Sequence, residues 1–396
     1  MEITDIRCVR RTGTMHDYPD GIFQERILRP TDVYAEFREQ GPERADADET
    51  GPREVSQVFV EVDTDAGITG IAGPVGRLPA AAVLEMADIL IGQNALATEK
   101  VQDVLFGRWD DATSGVRLRG ASAIDVALWD ARGKYYDAPV HELLGGPTRT
   151  ELPCYASMLG FSTDPGAVRE RAAEYADRGF PAQKWFLRHG PGSGEEGKDA
   201  NVAMVEAARE AVGEGYDLMF DAWRSWGLTY AMDMLDRLAP YDPRWLEQPL
   251  DKQHLDGFAR LVREAPFPIA GGEHDATRWD FQDILSAGAL EVLQPEPFYT
   301  GGITETKRIC TLGSTHGVPV VPHGNSVPVT VQLVAAQPPT VCPYVEFLIQ
   351  RNAANQFFFE ERVWPEDGHV TVPDRPGLGV TIDDSAVESE EELAVL

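Results

Sequence analysis

Between Leu218 and His323 the chain repeats one form five times: an apolar run that ends on a carboxylate or an imidazole. The runs are Leu218-Met-Phe-Asp221, Trp245-Leu-Glu247, Pro268-Ile-Ala-Gly-Gly-Glu273, Val292-Leu-Gln-Pro-Glu296 and Val318-Pro-Val-Val-Pro-His323. Their polar ends stand 26, 26, 23 and 27 positions apart. That is the length of one strand, one helix and two loops. In a parallel barrel the strand interiors are buried and the chemistry gathers at the strands' C-terminal ends.

The flanking sequence extends the pattern. Apolar strand-like runs at 152–156, 182–186 and 344–347 bring the count to eight, and amphipathic helical stretches such as 167–178 and 201–212 lie between. Strict alternation implies a parallel sheet with right-handed crossovers, an α/β chain whose eight units can close into a (β/α)8 barrel. Residues 1 to about 130 read differently, as an α+β domain. Strands are expected at 3–9, 56–62 and 67–72, and helices at 79–92, 97–108 and 117–136. Residues 12–53 form a long polar loop, whose first half mixes aromatics with arginines (Tyr18, Arg26, Arg29, Tyr34). Such a loop suits a lid that grips an acidic ligand. The acidic run Glu388-Ser-Glu-Glu-Glu392 reads as part of a frayed tail.

Charge narrows the partners. The net charge is -30, and only six lysines occur in 396 residues. No basic stripe exists to neutralise phosphates, which argues against nucleic acid. Acidic residues dispersed over the whole chain suit a protein that stays soluble in high salt. No apolar stretch is long enough to span a membrane, and the N-terminus has no signal-peptide form, so a cytoplasmic protein is expected. Cys8, Cys154, Cys310 and Cys342 are far apart and are expected to be buried free thiols.

Asp221, Glu247 and Glu273 end three successive barrel strands. Three converging carboxylates repel one another unless a cation lies among them, and hard oxygen donors suit one Mg2+. Glu296 and His323 end the next two strands. A carboxylate beside an imidazole fixes its tautomer and raises its pKa, the arrangement of a general base.

This order and spacing resembles the mandelate racemase branch of the enolase superfamily, as does Gly301-Gly302-Ile-Thr-Glu305 after the sixth strand. Within the branch, Lys184-Trp-Phe-Leu-Arg-His-Gly-Pro191, Arg29-Pro-Thr-Asp-Val-Tyr34 and Gln294-Pro-Glu296 are most similar to acid-sugar dehydratases of the L-rhamnonate dehydratase kind. The resemblance implies a modified barrel of (β/α)7β type at about 136–350, an α+β cap at about 1–135 and a C-terminal segment, 351–396, that returns to the cap. It also implies a homo-oligomer acting on a small sugar acid. Abstraction of the α-proton by His323, an enediolate and loss of the 3-hydroxyl would give a 2-keto-3-deoxy acid.

By the same resemblance Glu346 would stand near the substrate carboxylate, as a hydrogen-bond donor if protonated. Lys184 would contact substrate or a metal-bound carboxylate. His16, Arg29 and His189 are candidate substrate contacts from the loops. Two departures stand out. The dyad acid is Glu296 where the family usually has Asp. Phe186 stands where the racemases carry a second lysine, so a base on the other face of the substrate is missing. The rival readings are a dehydratase for gluconate, xylonate, arabinonate or galactonate, an epimerase or cycloisomerase on the same scaffold, another metal-dependent barrel enzyme such as an aldolase or a xylose-isomerase-like protein, and a non-catalytic sugar-acid-binding barrel.

Overall fold

The computed structural model describes residues 1–16, 24–43 and 52–394. Strands β1 (Ile3–Met15), β2 (Arg53–Thr64) and β3 (Thr69–Val75) pair antiparallel; β1 roughly alternates buried with more exposed residues, while Val58–Val62 of the central β2 are all buried. The expected hairpin turn lies between β2 and β3. The strands run longer than expected at both ends of the polar loop, because β1 and β2 stay in register out to Met15 opposite Arg53.

Four short or medium helices accompany this sheet: α1 (Ala35–Arg38), α2 (Arg77–Ala87), α3 (Thr98–Gly107) and α5 (Val140–Leu143). The long α4 (Gly115–Tyr136) carries the expected apolar stripe of Ala121, Ile124, Ala127, Leu128 and Ala131, but almost every other residue of its middle is buried too. It is sandwiched, with the cap sheet on one side and the barrel's helices at Pro297–Thr300 and Gly302–His316 on the other. A helix buried all round loses amphipathic contrast. Polar residues on it are therefore paired. Asp130, fully buried, accepts from the Ile71 and Leu378 amides and binds Lys134 at 2.7 Å.

The barrel alternates strands and helices: β4 (Glu151–Ser157), α6 (Pro165–Asp177), β5 (Ala182–Phe186), α7 (Gly194–Val212), β6 (Asp217–Asp221), α8 (Leu228–Leu238), β7 (Trp245–Glu247), α9 (Leu255–Glu264), β8 (Ile269–Gly271), α10 (Thr277–Ala287) and β9 (Val292–Leu293). Then come α11 (Pro297–Thr300), α12 (Gly302–His316), α13 (Val327–Ala335), β10 (Val345–Leu348) and α14 (Ile349–Asn355). Seven strands pair parallel in the order β10-β4-β5-β6-β7-β8-β9. The stave between β9 and β10 is the run from Val318 to His323, where Val320 makes a single parallel bridge to Leu293. Pro319 and Pro322 have no amide to donate, so the ladder cannot be completed there. The result is the (β/α)7β form of the α/β barrel. Its strand-facing core includes Leu218, Phe220, Leu246, Ile269 and Leu293, all buried.

The acidic run near the C-terminus is not a frayed tail. Residues Ser389–Glu392 are strand β12, antiparallel to β1 at the edge of the cap sheet, while β11 (His369–Thr371) pairs with β4. Charge complementarity explains the pairing. Arg10 reaches Glu391 at 2.7 Å and Arg11 reaches Glu390 at 3.0 Å, so the acids of β12 face basic residues of β1. All four cysteines are free and buried. Among the described residues no helix is long and apolar enough to cross a membrane.

Candidate active site

Parallel register sets the acids side by side. Asp221 pairs with Glu247 across β6 and β7, and Glu273 follows two residues after the end of β8. All three are buried, at 2%, 1% and 8% exposure. Lys184 on β5 stands among them. Its Nζ donates to Glu247 Oε1 at 2.7 Å, lies 2.8 Å from Glu346 Oε1 without hydrogen-bond alignment, and is 3.8 Å from Asp221 Oδ2. Burial alone would lower the lysine pKa. Glu247 and Glu346 outweigh it and hold the ammonium well above its ordinary value.

Burial and the charge of Glu247 push Asp221 well above the usual carboxylate range. Glu273 is raised by burial too, with His323 opposing and Glu247 adding. These are hard oxygen donors held at a cost in like-charge repulsion, and their chemistry fits a divalent cation. As arranged, among the described residues no three His, Cys, Asp or Glu side chains form a group able to hold a metal ion. Glu247 is turned toward Lys184 and toward Gln294, whose Nε2 donates to Oε2 at 2.5 Å.

His323 Nδ1 lies 2.7 Å from Glu296 Oε2, and Glu296 Oε1 accepts from the Phe298 amide at 3.0 Å. The extra methylene of Glu296 does not break the dyad. The Nε2 atom faces Glu273 at 3.8 Å and Glu346 at 3.9 Å. Burial would lower the imidazole pKa, but Glu273, Glu346 and Glu296 together lift it to about 10. Glu346 is held at about 2: burial would raise it, and Lys184 and His323 overcome that. It is therefore a carboxylate that accepts from the Gly324 amide at 2.8 Å. The expectation that it donates a hydrogen bond to substrate does not hold in this arrangement.

Asp221, Glu273 and His323 open onto a cavity of about 700 Å³. Phe186 lines it as well, from β5, with Lys184 Nζ 5.4 Å from its ring. Of the expected loop contacts only Arg29 lines the cavity, and it is paired with Glu43 at 3.4 Å. His16 is exposed at the end of β1 and does not line it. His189 is also elsewhere. Its amide donates to Asn201 Oδ1, its carbonyl accepts from Asn201 and Trp226, and its ring lies 3.3 Å from Ser193 Oγ, so it braces the start of α7. Arg26 is structural: it grips buried Asp32 through two bonds of 3.0 and 2.7 Å. Tyr18 lies outside the described residues.

Several cavity residues escaped the sequence reading: Arg119, Trp223, Arg224, His274, Tyr299 and Arg351. Two of them could have been found, since Trp223 follows Asp221 by two positions and His274 follows Glu273 directly. Asp221 Oδ1 accepts from the Trp223 amide at 2.7 Å, and Trp223 and Arg224 both take left-handed backbone angles, φ 42° and 61°. Strained residues of this kind gather at functional sites. Arg119 comes from α4 of the cap, which no linear spacing relates to the barrel.

Comparison with known proteins identifies the family. Residues 167–386 match the family described as enolase C-terminal domain-like, and residues 47–145 match the mandelate racemase / muconate lactonizing enzyme N-terminal domain. The chain is 32% identical to an L-rhamnonate dehydratase of Saccharopolyspora erythraea, covering 96% of this chain and 97% of the relative. It is 35% identical to a D-galactarolactone cycloisomerase of Agrobacterium fabrum, covering 84% and 90%. A racemase from Streptomyces coelicolor A3(2), solved with bound magnesium, superposes with a TM-score of 0.79 at 26% identity, over 97% of this chain and 98% of that one. The chain belongs to the enolase superfamily, in its mandelate racemase / muconate lactonizing enzyme family.

Proposed function

We propose that the protein dehydrates a sugar acid to a 2-keto-3-deoxy acid, with His323 as the single base. The observation that carries this reading is the asymmetry of the cavity. An imidazole oriented by a buried carboxylate lines it, and the position that would supply a second lysine base is Phe186. Racemisation needs a base on each face of the substrate carbon. Elimination runs with one.

The donor chemistry of Asp221, Glu247 and Glu273 fits a divalent metal, Mg2+ by donor type, although Glu247 is turned toward Lys184 and Gln294 in this arrangement. Bound there, it would offset the charge of these acids, favour the neutral form of His323 and draw charge from the substrate carboxylate. His323 Nε2 takes the α-proton. The C–H electron pair moves into the carboxylate as an enediolate, then returns to expel the 3-hydroxyl. The imidazolium gives its proton to that leaving oxygen, which departs as water, and the enol takes a proton at C3 to become the ketone. Glu296 keeps Nδ1 protonated throughout. Lys184 holds Glu247 in place and favours the ionised form of Glu346.

Sequence similarity makes an L-rhamnonate-like aldonate the starting candidate for the substrate. A second reading, cycloisomerisation, is favoured by the 35% identical galactarolactone relative. It uses the same proton abstraction and expels a ring oxygen in place of hydroxide. The test is a library of aldonates, aldarates and their lactones, assayed with Mg2+ in molar KCl for 2-keto-3-deoxy product. Dehydration of one or more open-chain acids is expected. Turnover of lactones alone would select cycloisomerisation, and turnover of none would overturn both readings.

A further inference from the structure

Arginine is plentiful in this chain, but so are its partners: 65 acidic residues stand against 35 basic ones. Buried or half-buried arginines mostly pair with acids, while Arg132, Arg149 and Arg209 donate to carbonyl or hydroxyl oxygens instead. Arg11 binds Glu61 and Glu390, Arg26 binds Asp32, and Arg237 binds three acids. Unpaired examples such as Arg77 and Arg263 stand exposed on the open surface. Among the described residues, three arginines of the cavity have neither kind of partner. Among the described residues no carboxylate lies within ion-pair distance of Arg119, Arg224 or Arg351, and all three line it. Arg119 and Arg224 are half-buried, and Arg351 stands at the rim.

The first two arginines are held flat by aromatic faces. The Arg119 guanidinium lies 3.8 Å from the Tyr299 ring centre, and that of Arg224 lies 4.7 Å from the Trp223 ring centre. His274 joins the two stacks, 5.8 Å from Trp223 and 6.3 Å from Tyr299. A guanidinium stacked on a ring keeps its N–H edge free, the edge that grips an oxyanion through two bonds. The Arg224 Nε–H is buried with no acceptor, which leaves a donor unsatisfied at a real cost. The carboxylates that also line the cavity do not meet this need. Glu43 is committed to Arg29 at 3.4 Å and Glu25 lies 3.5 Å from Arg188, while Asp221 and Glu273 belong to the acid cluster.

We propose that the substrate is a sugar acid with a second anionic group at its far end, which Arg119 and Arg224 bind and Arg351 attracts. A sugar diacid is the simplest molecule of this class. The inference rests on the proposed proton abstraction at the other end of the same substrate. It displaces an L-rhamnonate-like acid as the leading candidate, because that acid ends in a methyl group and leaves both stacked arginines unused.

The test compares substrates of matched stereochemistry that differ only at the terminal carbon: methyl, hydroxymethyl, carboxylate and phosphate ester. The Mg2+-loaded full chain is assayed in molar KCl, and binding is measured by calorimetry on the same series. A kcat/KM for the diacid about 100-fold above its matched aldonate is expected, with a parallel gain in affinity. Arg119→Gln and Arg224→Gln should each collapse the diacid-to-aldonate ratio about tenfold, through KM. Preference for the phosphate ester would support a second anion and assign phosphate as its source. Equal kcat/KM across the series would overturn the inference, as would variants that weaken diacid and aldonate alike. Calorimetry needs no turnover, so a diacid preference in binding without product would uphold the second anion and count against dehydration alone.

Discussion

Lys184 touches the acids of β6, β7 and β10 together. Its removal leaves Glu247 and Glu346 buried without the ammonium that bridges them. Lys184→Met is therefore expected to lower the unfolding free energy by about 3–5 kcal/mol in metal-free buffer, measured by urea denaturation. Added Mg2+ should recover part of that loss, and an unchanged midpoint would contradict the pairing described. His323→Asn keeps the shape but removes the base. A fall in kcat of about 10³-fold or more is expected, with the circular dichroism spectrum unchanged. The dyad and the acids were legible in the sequence because each ends an apolar run at a regular spacing. Lys184 was legible as a strand-end cation, but its bridging role was not, since that depends on which neighbours the barrel register brings within reach. The stacked arginines were illegible for the same reason: Arg119 reaches the cavity from a cap helix.

At the scale of elements, the cap docks on the barrel through α4 and the Gly301-Gly302 turn. Asp125 of α4 accepts from the Thr304 hydroxyl at 2.6 Å and the Thr304 amide at 3.0 Å, and Gly301 N donates to Ser122. A Cβ on Gly302 would lie 2.2 Å from Asp125 Oδ2, so this close approach requires glycine. Burial raises the Asp125 pKa to about 6, against the pull of Thr304 and Arg132. A carboxyl raised in the folded state contributes stability that is fully present below its ordinary value near 4 and lost as pH rises through 6. Relative to Asp125→Asn, the wild type should lose roughly 3 kcal/mol between pH 4 and pH 7. Urea melts of both proteins across that range read the difference, and a constant gap would contradict it. Strand β12 shows why elements can hide. A run of acids reads as a solvated tail until Arg10 and Arg11, far away in sequence, supply the opposite charge. The short β9 and the interrupted stave at Val320 were easier to place, because their prolines sit within the repeat itself.

At the scale of the whole molecule, the alternation of βα units was legible because a barrel is built from local repeats, each of which buries its own strand. What the repeats could not reveal is the wall of the cavity, which is assembled from both domains. The dispersed negative charge is a property of the surface, and its consequence is testable in the same terms. At about 1 M salt repulsion is screened within roughly 3 Å. The melting temperature is therefore expected to fall by more than about 10 °C between molar and millimolar KCl, and an unchanged melt would remove the case for salt adaptation. In the proposed reaction a single base on one face drives an elimination. It is tested most directly by turnover in deuterated water, with product and recovered substrate read by NMR. One deuterium at C3 of the 2-keto-3-deoxy product is expected, with no inversion at C2 of the remaining substrate. Recovered substrate epimerised at C2 would contradict it.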